Sequence, residues 1–311
     1  MIRQATDIIP SEKRIRILLA GYPGIGKSTL ALSAPKALHI DTDFGIDRIE
    51  PQYRRPFIQP ATYEELLSDL VPDNMDDFET LVFDTGGKLL DLMKPWAIRK
   101  DVKNGKRDGN LSLQGYGEVG REFVRLMDYC FYELKKHIVV VFHAIEEKDG
   151  ENTRLRLMVE GQTRNNVWIP MDLGGYIEMV GNDRTLGLSN CERYYAKGTR
   201  GINGIIKIPA LNGNKQNDFL TNLFTKYNEK NAQEVAVYEE RVKEYERVME
   251  EGRNIISNVA DAHSANDMAK AMGELKHVLT SREEIGEEWK AKIAELGLVY
   301  DSKTKTYGDP Q

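Results

Sequence analysis

With 311 residues, 41% of them hydrophobic, the chain can bury a full core and carry a smaller appended unit. Its net charge of −6 excludes a strongly basic nucleic-acid coat, and its longest apolar run, Ile138–Phe142, is far too short to cross a bilayer, so no membrane contact is expected. Two cysteines, Cys130 and Cys191, fit neither a zinc spacing nor a disulfide framework, and no charged, apolar leader opens the sequence; the expectation is a cytoplasmic protein.

Residues 1–14 read as a polar lead-in without periodicity. From 15 to 145 short apolar runs alternate with helical patterns, the βαβ rhythm of a mostly parallel sheet. Strands are predicted at 15–20, 37–41, 80–84 and 137–143, and helices at 27–33, 63–70, 87–98 and 118–135. Shorter strands follow around 155–159, 176–181, 185–189, 193–197 and 204–208, with turns at Gly181-Asn182-Asp183 and Gly201-Ile202-Asn203-Gly204, and predict an antiparallel extension. Beyond Tyr227 the composition shifts. Val235, Tyr238, Val242, Tyr245 and Met249 recur at spacings of three and four, an apolar stripe that suits a helical hairpin packed on itself or on the core. Helical patterns continue near 254–262, 265–279 and 283–296, and a polar segment from Leu298 closes the chain. Domains are therefore predicted at 1–227 and 228–311. The second holds 18 Asp and Glu against 12 Lys and Arg, which accounts for the whole net charge and leaves the first neutral.

The first helix is preceded by Gly21-Tyr22-Pro23-Gly24-Ile25-Gly26-Lys27-Ser28, a full G-x-x-x-x-G-K-[ST] loop between a strand and a helix. Glycines let successive backbone N–H groups converge on phosphate oxygens, and Gly21, Gly24, Ile25, Gly26, Lys27, Ser28 and Thr29 are the expected nucleotide-binding residues. Lys27 would reach the β- and γ-phosphates of ATP, and the Ser28 hydroxyl would coordinate Mg²⁺. A second acidic anchor is needed for the metal, and Leu81-Val82-Phe83-Asp84 supplies it at the end of an apolar strand; the competing role for Asp84 is a helix N-cap. Asp41 and Asp43 follow the second strand. Asp43 is expected to act as the base that activates water, and Asp41 to support the magnesium shell. If the strand 137–143 lies between those of the phosphate loop and of Asp84, His143 stands at the γ-phosphate.

Taken together, Ile17–Thr29, Ala34–Gly45, Phe83-Asp84-Thr85 and Val140–His143 resemble the RecA-core ATPases, specifically the phage-type ATPases of single-strand annealing recombination. The resemblance covers roughly 15–227. It implies an α/β, RecA-like P-loop NTPase with a mostly parallel central sheet, an antiparallel extension and a C-terminal helical region, hydrolysing ATP to ADP and phosphate as a ring or filament. It places the catalytic acid on Asp43, where the family usually has Glu, and a polar group at the γ-phosphate on His143. It also implies trans-acting cations, for which Lys197 and Arg200 in Tyr195–Gly201 are the candidates. Single-stranded DNA would meet two segments, Arg99–Asn110 with Tyr116 behind it and Lys148–Arg164, which carries Arg154, Arg156 and Arg164. The alternative is a regulatory or loader ATPase that engages a recombination or replication protein through 228–311. A small-molecule kinase is disfavoured for want of a lid or acceptor cluster. A G protein is disfavoured because Asn214-Lys215-Gln216-Asn217 lacks the acid that guanine recognition uses.

Overall fold

The computed structural model describes residues 13–211 and 215–309. The lead-in therefore lies almost wholly outside the described residues, as does Asn214. Two compact units are present, one running to Lys230 and one from Asn231.

The first unit contains, in order, β1 (Arg16–Gly21), α1 (Lys27–Ala31), β2 (Ala37–Asp41), β3 (Phe57–Ile58), α2 (Tyr63–Asp69), β4 (Thr80–Asp84), α3 (Gly86–Lys100), α4 (Leu113–Asp128), β5 (His137–Asp149), β6 (Asn152–Leu157), α5 (Thr163–Asn166), β7 (Leu173–Val180), β8 (Asp183–Gly187) and β9 (Ile205–Lys207). The described strands of this unit form one sheet in the order β3-β2-β4-β5-β1-β7-β8-β9, with β6 paired to β5. Every neighbour from β3 to β7 is parallel.

Two sequence expectations are corrected here. The antiparallel extension is smaller than predicted: β7 joins β1 in parallel, and only the β7–β8, β8–β9 and β5–β6 pairs are antiparallel. Residues 193–197 form no strand and contribute a single bridge, Lys197 to Gly174. The connection from β6 to β7, with α5 inside it, is long enough to return the chain for a parallel pairing. An alternating pattern alone does not encode that direction.

The central strands are apolar on both faces because both faces are covered. Leu18, Ala20, Ile40, Phe83, Val140 and Phe142 point into one core, against α3 and α4. Ile17, Leu19, Val82, Val139 and Val141 point into the other, which includes Leu30 of α1 and Leu220–Phe224. Each such fully buried aliphatic side chain stabilises the fold by about 1.5–3 kcal/mol. Gly86 lets α3 start flat on the sheet: a Cβ there would lie 2.4 Å from the Phe142 ring. α4 starts five residues before its predicted start, capped by Ser112, whose Oγ accepts from Gly115 N, and it ends in a π-helical turn at Tyr129–Glu133.

A 39-residue helix, α6 (Phe219–Ser257), leads into the second unit, so the change of unit falls within a helix and no loop separates the two. α7 (Ala262–Glu274), α8 (Ser281–Glu295) and the hairpin β10 (Val299–Asp301) and β11 (Thr306–Gly308) follow. The stripe is used within the chain. Val242, Val248 and Met249 are buried, with Ile285 of α8 packed on the latter two, and Tyr245 donates to Glu284 at 2.7 Å. The polar closing segment forms the β10–β11 hairpin, where Asn266 brackets the backbone of Tyr307 and Trp289 Nε1 donates to the Tyr307 hydroxyl at 2.8 Å. Among the described residues no helix is long and apolar enough to cross a membrane.

Candidate active site

Parallel pairing brings the C-terminal ends of β1, β4, β5 and β2 side by side. In register, Gly21 faces His143, Asp84 faces Val141, and Asp41 faces Asp84. Ligands of open α/β sheets bind beyond these ends. The order β4-β5-β1 meets the condition set on His143, which now stands beside Gly21 between the two nucleotide-binding strands.

From Gly21 the chain enters the phosphate loop. Gly24 and Gly26 adopt left-handed backbone (φ +79° and +86°), which only glycine takes without strain. Lys27 is buried, and its Nζ donates to Tyr22 O at 2.8 Å within the loop. Burial pushes its ammonium down to about 8, while the Asp84 carboxylate works against that shift. α1 is shorter than predicted, and turn-type bonds continue it to Ala34. Asn217 braces it by donating to Thr29 O at 2.6 Å.

Asp84 ends β4, buried, with its Oδ2 3.4 Å from Nε2 of the fully buried His39. The N-cap of α3 is Thr85, whose Oγ1 accepts from Lys88 N, so capping does not occupy Asp84. Its backbone carbonyl accepts from the N–H groups of Thr42 and Asp43 at 2.9 and 3.3 Å, and Thr42 Oγ1 donates to Thr85 O at 2.9 Å. Asp43 is thereby carried on a turn fastened to the end of β4. One of its oxygens pairs with Arg48 at 3.1 Å.

Asp41 is tied into the turn that follows β2. Both of its oxygens are spent on the turn, Oδ1 accepting from Gly45 N at 2.9 Å and Oδ2 from Ile46 N and Gln59 Nε2 at 3.0 and 2.8 Å. A carboxylate so committed shapes the turn that carries Asp43.

His143 is half-buried, and its Nδ1 has no hydrogen-bond partner among the described residues. Burial, then the neighbouring Lys27, hold its ring below the usual histidine range, against Asp43 and Asp84. It is thus a neutral hydrogen-bonding group at pH 7. Asp43 and His143 border a cavity of ≈ 390 Å³ that continues along α3 and α4 to Lys94, Tyr116, Glu160 and Arg164.

Lys197 and Arg200 are not brought to this cluster. The Lys197 ammonium donates to Met171 O, and the Arg200 guanidinium lies 6.0 Å from the centre of the Tyr227 ring. The two basic segments are folded against acids of their own chain. Arg99 forms a fork with Glu64, Lys100 pairs with Glu118, Arg154 and Arg156 with Asp149, and Arg164 with Glu147. Tyr116 donates to Glu160 at 3.0 Å.

One residue of the loop's surroundings has no counterpart in the sequence reading. Arg184 of β8 sets its Nη1 3.3 Å from Ile25 O. Nothing in its local sequence marks it, since the contact spans 159 residues.

The family model of the AAA domain matches residues 13–200, and the chain belongs to that family. No curated protein matches it. The phosphate loop, β4 and β5 all lie inside the matched span, so the first unit is an AAA-type P-loop ATPase domain that binds and hydrolyses nucleotide. The family usually works with Mg²⁺, and the donors fit one: Ser28 follows Lys27, and Asp84 is an uncapped buried carboxylate beside unsatisfied histidine nitrogens. Among the described residues no three His, Cys, Asp or Glu side chains gather to hold a metal without nucleotide. Mg²⁺ would rest mainly on phosphate oxygens, with Ser28 and Asp84 completing its shell.

Proposed function

We propose that this ATPase serves DNA recombination of the phage type, in single-strand annealing or repair, binding single-stranded DNA as an oligomer. Hydrolysis follows from the site's residues. Lys27 and the loop amides hold the phosphates, and Mg²⁺ would neutralise charge on them. The Asp43 carboxylate takes a proton from water as its oxygen bonds to the γ-phosphorus and the bond to ADP breaks. His143, kept neutral, hydrogen-bonds at the same end.

One observation supports the link to DNA. The cavity that begins at Asp43 and His143 runs to Tyr116, behind the first segment expected to meet a single strand, and to Arg164, which ends the second. A strand bound there lies within reach of the group that activates water. Lys103, Lys106, Arg107 and Lys148 are exposed cations of those segments, in addition to the acid-paired Arg99 and Lys100. With so many neighbouring arginines paired internally, the affinity is modest and falls with salt. In the oligomer, Lys197 and Arg200 are the candidates to serve a neighbour's site.

The test is ATP hydrolysis by the full chain with and without single-stranded DNA, alongside particle mass in solution. DNA should raise the rate and be retained at low salt. Absence of both refutes the DNA role and leaves the ATPase standing.

The acidic excess of 228–311 favours a second reading, a loader that engages a recombination or replication protein. It predicts hydrolysis indifferent to DNA, and retention of such a protein that a Glu239→Lys, Glu240→Lys, Glu287→Lys variant loses.

A further inference from the structure

The phosphate loop is gripped by two cations, and only one of them belongs to the motif. Lys27 Nζ donates to Tyr22 O, and Arg184 Nη1 reaches Ile25 O at 3.3 Å from the opposite end of the loop. Arg184 is so close to the loop that a Cβ on Gly26 would sit 2.2 Å from its Nη1. Its guanidinium is half-buried, and among the described residues no carboxylate lies within ion-pair distance of it. The acids nearest in sequence and across the hairpin are already engaged: Asp183 pairs with Lys207, and Glu178 with Arg193. Burial alone shifts the guanidinium, downward, with no acid opposing it.

A half-buried arginine with no carboxylate partner loses part of its hydration, and a single long bond to a neutral carbonyl offsets little of that loss. Such a group is retained where an anion arrives to meet it. A phosphate loop is where such an anion comes, and a guanidinium offers a planar fork matched to phosphate oxygens.

From this geometry we infer that Arg184 is a nucleotide-binding residue, one that exchanges its bond to Ile25 O for a phosphate oxygen of the bound nucleotide. The inference rests on the ATPase reading and adds a contact supplied by β8, outside the phosphate-loop motif. Because β8 belongs to the same chain, the contact is made in cis. It therefore differs from the trans contacts for which Lys197 and Arg200 are the candidates.

The full-length protein is titrated with Mg-ATP, Mg-ADP and inorganic tripolyphosphate, as wild type, Arg184→Ala, Arg184→Gln and Arg184→Lys. Arg184→Ala should weaken all three ligands by about 10- to 100-fold, the range for one charge-assisted hydrogen bond. Arg184→Gln keeps a donor for Ile25 O without the charge. It should restore the melting temperature but not the affinity, and Arg184→Lys should recover part of the affinity. Unchanged affinity in Arg184→Ala, or full recovery in Arg184→Gln, overturns the inference and makes Arg184 a structural brace. Loss for the two nucleotides with none for tripolyphosphate overturns the phosphate assignment in favour of a ribose or base contact. Failure of the wild type to bind any of the three strikes the ATPase reading itself and is thus distinguishable.

Discussion

The two units of this chain use apolar residues in opposite ways. In the first, β2 and β4 are buried along their whole length, because helices cover both faces of the sheet. Side chains at the strand ends inherit that rigidity, which is what phosphate and metal chemistry needs. In the second, the helices bury small clusters such as Val248, Met249, Ile256 and Ile285, and ion pairs such as Arg253 to Glu288 run over exposed surface. A packed sheet holds polar groups to a fraction of an ångström. A thin helical cluster holds a surface together and keeps its charges in ion pairs at the solvent boundary. Chemistry sits in the first unit for that reason.

Perturbing each unit in turn can break that contrast. The largest effect expected is from Lys27→Ala, which removes the buried cation and should cut ATP hydrolysis by ~100-fold or more without moving the melting transition of the second unit. Asp43→Asn should retain Mg-ATP binding while turnover falls by ~100-fold or more, measured as single-turnover phosphate release; preserved turnover would move the base elsewhere. Ile285→Ala should destabilise the second unit by about 2–4 kcal/mol in denaturant unfolding and leave ATP hydrolysis near wild type. A matching loss of ATPase would show that the units are not separable in function.

Smaller effects sharpen the picture. Because burial holds Lys27 at about 8 and a bound phosphate would raise it, ATP binding should take up protons above pH ~8. Calorimetry in buffers of different ionisation enthalpy reads this directly, and affinity should fall as pH rises through that value. Arg253→Ala, at an exposed pair, should cost no more than about 1 kcal/mol.

Much of the site was legible because its signals are local. Loop spacing marked Lys27 and Ser28, and an apolar run ending in an acid marked Asp84. Parallel pairing then set His143 beside Gly21 as the sequence reading required. What could not be read depends on contacts across the chain. Asp41 and Asp43 look alike in sequence, and only Gly45, Ile46 and Gln59 show which one is consumed by the turn. The capping role weighed for Asp84 fell to its neighbour Thr85. Arg184 was silent because β8 reaches the loop only after β7 has paired with β1. Segment 193–197 mimicked a strand through buried Tyr194, yet Asn190 takes the Ala196 N–H that a neighbouring strand would have needed.

The two backbone bonds from Thr42 and Asp43 to the Asp84 carbonyl, with the Thr42 hydroxyl on Thr85, have a mechanical consequence. The turn that carries Asp43 and the strand end that carries Asp84 are riveted into a single piece. A displacement of the end of β4 therefore carries the Asp43 turn with it, and the spacing of the two carboxylate-bearing residues is held by backbone rather than by side-chain contacts.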